Sequence, residues 1–524
     1  MMNDIVSNNN DIISIISMIT YCNNSYSNSS NSNSSNSNSN SNSSNSSSSS
    51  NLNTITIKTI NDVIPLVKEL RNSIRSNDDK NIACYLQQEN IIKYIANICK
   101  IIAINKFTTI NIDSNNNNDD DSNNNDINAC SIVVLYLCQF IANFTACSDD
   151  QKKFLWSKEN GSSSSYIIEY VRDMLAATVN TKSRKALAAI TASIYNSICY
   201  NDCDLKETIC SIEARGLCCQ LMLAVIDCKC NNDVDDPLIE WLLFITLKLA
   251  RQYCLSHFFE LLGATDKSIT MNHEQVVFLQ ILRDLFEDKA CLDDILSNNY
   301  SHVQNDIDID SDITIMLKRL TSKISIIGLN INTNMSIEEK VALEALPLIM
   351  NIIGTTLAAI PKSNIGDHIR SQLSIQEEGY LLHFCFEVIS SRKYVDGKFR
   401  WEDGCILNSI YGIGEDIGWD DDHKEMIKLS LEIIGNLAYG CQIAQDKIHE
   451  LGGIPLLLSC CATDFENPLA REWALMSVRN CCEGNIKNQE YIDSLKVQGV
   501  VQGMNGVNID INTTTGKFQF QKES

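Results

Sequence analysis

Apolar residues recur at helical spacing along most of the chain. Val63, Val67, Leu70 and Ile74 fall at i, i+4, i+7 and i+11 behind Asp62, a residue that suits a helix N-cap. Leu187, Ile190, Ile194 and Ile198 repeat the pattern. Trp241, Leu242, Ile245 and Leu249 predict a further helix, with its end placed at Gly263. Strand-like alternation is confined to the C-terminal end, where Val507, Ile509 and Ile511 are predicted to face Phe518 and Phe520 across NTTTGK in a small hairpin.

Polar tracts punctuate this pattern. From Asn23 to Asn51 every residue except Tyr26 is Asn or Ser, and such a tract buries too little apolar surface to offset the entropy of ordering it. Shorter inserts near 114–126 (NNNNDDDSNNN) and 160–165 read as lengthened surface loops, which cost little stability. The predicted helices also share a cadence. ANFTACSDDQ, YNSICYND, GNLAYGCQIAQ and RNCCEGNIKNQ place Asn143, Asn196, Asn436 and Asn480 near helix ends, and in three of them a glutamine follows: Gln151, Gln445 and Gln489. Asn436 and Asn480 are 44 apart, within the period of armadillo and HEAT units. Between them QDKIHELGGIPLLL carries a Gly-Gly-Ile-Pro step that turns the chain into a new helix. The expectation is an all-α, armadillo/HEAT-like right-handed helical solenoid: residues 1–53 low-complexity and largely disordered, 54–419 repeats, 420–503 a C-terminal domain, and 504–524 a tail.

The stretch Asn467 to Gln489 is the most specified. Asn467 before Pro468 is an N-cap with proline at the first helical position, and Leu469, Trp473 and Met476 follow at i, i+4 and i+7, which predicts Trp473 to face inward. Arg471 lies off that stripe, and Glu472 and Arg479, seven apart, share a face. The segment DFENPLAREWALMSVRNCCEGNIKNQEYI resembles the signature of the ataxin-10 family through Asp464, Asn467, Pro468, Arg471, Glu472, Trp473, Ala474, Arg479, Asn480, Glu483, Asn485, Asn488 and Gln489. Leu469 and Ala470 replace the larger pair usual in that family, and Cys481 stands where leucine is common. The resemblance covers about a hundred residues, from near Asp420 to Gly503. It implies a cytoplasmic interaction protein with a part in cytokinesis and cell division.

Charge narrows the partners. With 65 acidic and 42 basic residues the net charge is −23, which opposes nucleic-acid and anionic-membrane binding; the partners expected are proteins. No run of about 20 apolar residues is read as a membrane span. The 22 cysteines, in a long chain without a basic leader before IISIISMI, are read as reduced thiols. Cys199, Cys203, Cys210, Cys218, Cys219, Cys228 and Cys230 form no C-x2-C pair and read as small buried residues rather than zinc ligands, as do Cys460/Cys461 and Cys481/Cys482. DIDIDSD (Asp306 to Asp312) lacks the glycine and glutamate of a calcium loop, and GIGEDIG (Gly412 to Gly418) misses a dinucleotide fingerprint by one residue. Seven scattered histidines form no catalytic constellation, so neither an enzyme nor a cofactor is expected. Two roles remain for the signature Arg471, Glu472, Trp473, Arg479 and Asn480: architecture, or contact with a partner. An alternative takes Asn143, Asn196, Asn436 and Asn480 as a ladder lining a concave groove that carries extended basic peptides, as in armadillo transport adaptors.

Overall fold

The computed structural model describes residues 120–522 apart from the segments 159–164, 182, 228–236, 264–269, 304–309, 330–336, 391, 396–397, 402–420, 462–466, 496–506 and 513–516. The readings on 1–53, on the Asp62 to Ile74 helix, on GIGEDIG and on most of the 160–165 insert lie outside the described residues. Two compact units emerge, Met1–Met316 and Leu317–Ser524.

In the first unit, α1 (Asp120–Cys147) is followed by α2 (Asp149–Trp156) and by a π-turn at Ile167–Val171 that runs into α3 (Arg172–Thr181). After these come α4 (Arg184–Ser197), α5 (Arg215–Asp227), α6 (Pro237–Arg251), α7 (Leu255–Leu262), α8 (His273–Glu287) and α9 (Lys289–Val303). Helix α1 begins at Asp120, so the second half of the insert expected as a loop is helical; acidic residues suit a helix N-terminus. The predicted stripe of α4 is the buried one, with Leu187, Ile190, Ile194 and Ile198 at 1% exposure or less. Helices equivalent by position pack on one another: α1 on α4, α4 on α6 and α6 on α9 in one ladder, α3 on α5 and α5 on α8 in another.

The helix expected to run to Gly263 breaks instead. Helix α6 ends at Arg251, Tyr253 takes a left-handed φ of 55°, and α7 starts afresh before reaching Gly263 as its C-cap. The cause lies far away in sequence. Asp312 is buried, and its carboxylate accepts hydrogen bonds from the Leu255 N–H at 2.8 Å, the Ser256 N–H at 3.2 Å and the Ser256 hydroxyl, capping α7 from a distant helix. Asp312 itself opens α10 (Asp312–Leu329).

The second unit continues with α11 (Ile337–Ala359), α12 (Asn364–Ile375), a 3-10 turn at Gln376–Gly379 and α13 (Tyr380–Ser390). After these come α14 (Asp421–Ala438), α15 (Gln442–Glu450), α16 (Gly453–Cys460), α17 (Pro468–Cys482) and α18 (Ile486–Ser494). Every third helix packs on its equivalent: α11 on α14 and α14 on α17, α12 on α15 and α15 on α18, α13 on α16. This three-fold alternation is the packing of an armadillo unit, α12–α13–α14 and then α15–α16–α17, in which each repeat buries its face against its sequence neighbours. Gly452, at φ 72°, makes the left-handed turn between α15 and α16 that the Gly-Gly-Ile-Pro step predicts.

Helix α11 is the most apolar of the described long helices. Its segment Lys340–Ala359 is long and apolar enough, by length and composition, to cross a membrane, although 72% of it is buried within the chain. A core helix buried on most sides reads the same way as a span. The unit also holds two antiparallel hairpins. One, β1 (Arg392–Val395) with β2 (Lys398–Trp401), interrupts the repeat between α13 and α14 and was not among the sequence expectations. Its signal is the Asp396-Gly397 dipeptide, favoured in two-residue hairpin loops. The other, β3 (Val507–Asn512) with β4 (Lys517–Lys522), has the predicted register, Ile509 opposite Phe520 and Ile511 opposite Phe518.

Candidate interaction face of the C-terminal repeats

Helix α17 starts where the sequence places it. The Asn467 side chain accepts from the Ala470 N–H at 3.3 Å, and its amide nitrogen donates to the Lys424 carbonyl on α14 at 3.0 Å. The helix closes at Glu483, Gly484 turns the chain at φ 74°, and Asn485 caps α18 by accepting from the Asn488 N–H at 3.1 Å.

From this frame a polar network spreads through the interior. Ser477 Oγ lies 2.8 Å from the Leu431 carbonyl of α14 and 2.8 Å from the Trp473 carbonyl of its own helix. Asn480 donates to Gly435 O at 2.9 Å, and Asn488 to Cys481 O at 2.8 Å and Gln445 O at 3.4 Å. Gln445 is the hub, its amide nitrogen within 3.1 Å of the carbonyls of Ala438, Asn480 and Glu483. These amides hydrogen-bond carbonyls at and near the ends of α14, α15 and α17. The four asparagines of the family-like signature, Asn467, Asn480, Asn485 and Asn488, are thus internal fasteners between α14, α15, α17 and α18.

Another fastener escaped the sequence reading. Arg370 of α12 is 1% exposed, yet its guanidinium donates to Asn436 O at 3.0 Å and Pro361 O at 3.4 Å and also to Ile360 O, closing the C-terminal ends of α11 and α14. Nothing in its local sequence distinguishes it from a surface arginine, because its acceptors come from two other helices.

The buried face of α17 also differs from the expected stripe. Ala470, Ala474, Ser477, Asn480 and Cys481 are the buried positions. Leu469 is 56% exposed and Met476 44%, and Trp473 is only half-buried. The reason is close approach: a Cβ added to Gly435 on α14 would lie 2.7 Å from Ser477 Oγ, so only small side chains fit between the two helices. Large apolar residues are displaced to the outside.

The resulting outer arc carries Leu469, Glu472, Leu475, Met476 and Arg479, at i, i+3, i+6, i+7 and i+10. Leu475 is 42% exposed, and Ile486, at the start of α18, is 68% exposed. Arg471 stands at the border of the arc, its Nη1 3.8 Å from Glu472 Oε1, with its Nε lacking a partner among the described residues. A solvent-facing pair of this kind adds little to stability.

Two of the four asparagines of the proposed ladder, Asn196 and Asn480, act as joints between neighbouring helices. Asn196 on α4 donates to Ala142 O on α1 at 3.3 Å, just as Asn480 on α17 donates to Gly435 O on α14. In both cases the acceptor directly precedes the equivalent asparagine of the neighbouring helix, Asn143 or Asn436. Asn480 is buried, while Asn143, Asn196 and Asn436 are half-buried.

The cysteines of the Cys199 to Cys219 cluster are packed: Cys203, Cys210 and Cys218 are buried and Cys199 and Cys219 half-buried, while Cys228 and Cys230 lie outside the described residues. Among the described residues no three His, Cys, Asp or Glu side chains converge as metal ligands. Burial pushes the thiols of Cys385 and Cys481 up to about 12.

Residues 427–521 match the family model of the spinocerebellar ataxia type 10 protein domain, a span that takes in most of α14, the network, the outer arc and the β3–β4 hairpin. An ataxin-10 homologue of Dictyostelium discoideum is 39% identical over 94 residues, 17% of this chain and 15% of that protein. Ataxin-10 of Xenopus tropicalis is 43% identical over 70 residues, 13% of this chain and 14% of its own length. An ataxin-10 homologue of Saccharomyces cerevisiae is 39% identical over 101 residues, 19% of this chain and 18% of that protein. The likeness therefore spans less than a fifth of each relative. A solved engineered protein aligns at 13% identity with a TM-score of 0.18, too low to bear on the fold.

Proposed function

We propose, from the premise that this chain carries an ataxin-10 domain at its C-terminal end, that it is a non-catalytic protein-protein interaction scaffold working in the regulation of cytokinesis and cell division in the cytoplasm. The observation that carries this reading is the outer arc of α17: three large apolar side chains stand in solvent beside Glu472 and Arg479, on a helix held rigid by the Gln445 network. An exposed apolar stripe rimmed by charge is the chemistry of a docking face, and helix-in-groove partners recognise such stripes through i, i+3 and i+7 anchors. The cell-division role rests on the resemblance to the family.

The test compares partner capture from cell lysate by the full chain and by Leu469→Asp/Met476→Asp, with helicity and melting followed by circular dichroism. Selective loss of partners at unchanged melting is expected. An identical partner list on a folded double variant overturns the reading. The alternative, a groove of asparagines for basic peptides, has less support, because Asn196 and Asn480 already commit their amide nitrogens to neighbouring helices.

A further inference from the structure

The helix ladder α11, α14, α17 repeats one contact. A Cβ added to Gly354 on α11 would lie 3.6 Å from Ile433 Cγ1 on α14, and a Cβ added to Gly435 on α14 would lie 2.7 Å from Ser477 Oγ on α17. Ile433 and Ser477 are 44 apart, as are Asn436 and Asn480, so each step of the ladder meets the next at the same place. Helices α14 and α17 run parallel and in register: the Lys424, Leu431 and Gly435 carbonyls accept from the side chains of Asn467, Ser477 and Asn480. By the same spacing of 44, the residue of α17 that stands where Gly435 stands on α14 is Arg479. Its helical neighbours on that side are Met476, Leu475, Glu472 and Leu469, at i−3, i−4, i−7 and i−10. The outer arc is therefore the face on which a further helix of the ladder would lie, and among the described residues α17 is the last helix of that ladder.

We infer that a partner protein supplies that helix: the outer arc binds an amphipathic helix parallel to α17, with an acidic side chain opposite Arg479 and a basic one, seven residues earlier, opposite Glu472. The inference rests on the arc being a docking face. Continuity with the α14–α17 interface sets the orientation of the added helix. Charge sets its sequence. Glu472 is 67% exposed at its side chain and Arg479 is exposed as well, and in a parallel, in-register pair residues seven apart on one helix meet residues seven apart on the other. Between the two charges the added helix lays apolar side chains against Leu475 and Met476. The change from glycine to arginine at the last step decides which helix fits. Gly354 and Gly435 admit a neighbour at close range, whereas Arg479 holds the next helix farther out and pairs with a carboxylate on it.

The experiment titrates the full chain into two fluorescein-labelled synthetic helical peptides and follows anisotropy. The matched peptide carries a lysine and, seven residues later, a glutamate, with leucines at the third and fourth positions after the lysine; the swapped peptide exchanges the two charges. Both have the same composition, so the net charge of −23 on the chain does not distinguish them. The matched peptide should bind at least fivefold tighter, and Glu472→Arg/Arg479→Glu should invert the preference. Equal binding of the two peptides, a preference that the charge reversal does not invert, or no saturable binding of either overturns the inference. So does sedimentation that finds the arc taken by a second copy, as an oligomer abolished by Leu469→Asp/Met476→Asp in a chain that binds neither peptide. The docking reading fails separately, when the matched peptide is preferred but Leu469→Asp/Met476→Asp leaves the captured partners unchanged.

Discussion

Arg479 and Asn480 are adjacent in sequence and face opposite surroundings. Arg479 stands in solvent on the outer arc, while Asn480, 4% exposed, donates its amide to Gly435 O and receives Gln445 at its own carbonyl. Asn480→Ala removes the buried hydrogen bond to Gly435 O and should cost about 0.5–1.5 kcal/mol. Arg479→Ala should stay within about 0.5 kcal/mol of the parent. Urea unfolding followed by circular dichroism separates the two, and equal effects would remove Asn480 from the network. The sequence pointed to both residues together, since the signature is contiguous. Only the neighbouring helix distinguishes the fastener from the surface charge.

At the scale of elements, the pair α14 and α17 is set by the absence of side chain as much as by its presence. Gly435→Ala places a methyl 2.7 Å from Ser477 Oγ and against the hydrogen bond from Ser477 to Leu431 O. Overpacking of this kind should cost about 1–3 kcal/mol and lower the melting temperature measurably; an unchanged melt would mean that the helices can separate freely. The α4 stripe, the Asn467-Pro468 start of α17 and the β3–β4 register were legible because each depends on residues close in sequence. The inward face of α17 was not, because apolar periodicity selects the largest hydrophobic residues, whereas a tight helix crossing selects Ala470, Ala474 and Ser477. The break after Arg251 was hidden for a related reason: its cap, Asp312, comes from 57 residues beyond Leu255.

For the whole molecule, the abundance of cysteine has a consequence for pH. Cys385 and Cys481 titrate in the folded chain at about 12 because burial penalises the thiolate, against an ordinary value of 9.0. A folded pKa above the unfolded one means that the contribution is fully present below about 9 and is lost as pH rises toward 12. Melting temperature should therefore fall progressively across that window. Cys385→Ala/Cys481→Ala should flatten the decline, and a slope unchanged by the double substitution would assign it to other groups.

Helix α14 lies at the centre of two sets of neighbours. It packs on α11, α13 and α17, and Arg370 of α12 closes its C-terminal end. The match to the family model begins at 427, part-way along this helix, and leaves α11, α12 and α13 outside. What heredity has kept recognisable is thus smaller than what packs together: the border of kinship cuts through a helix, whereas the compact unit that contains it begins far upstream, at Leu317 within α10.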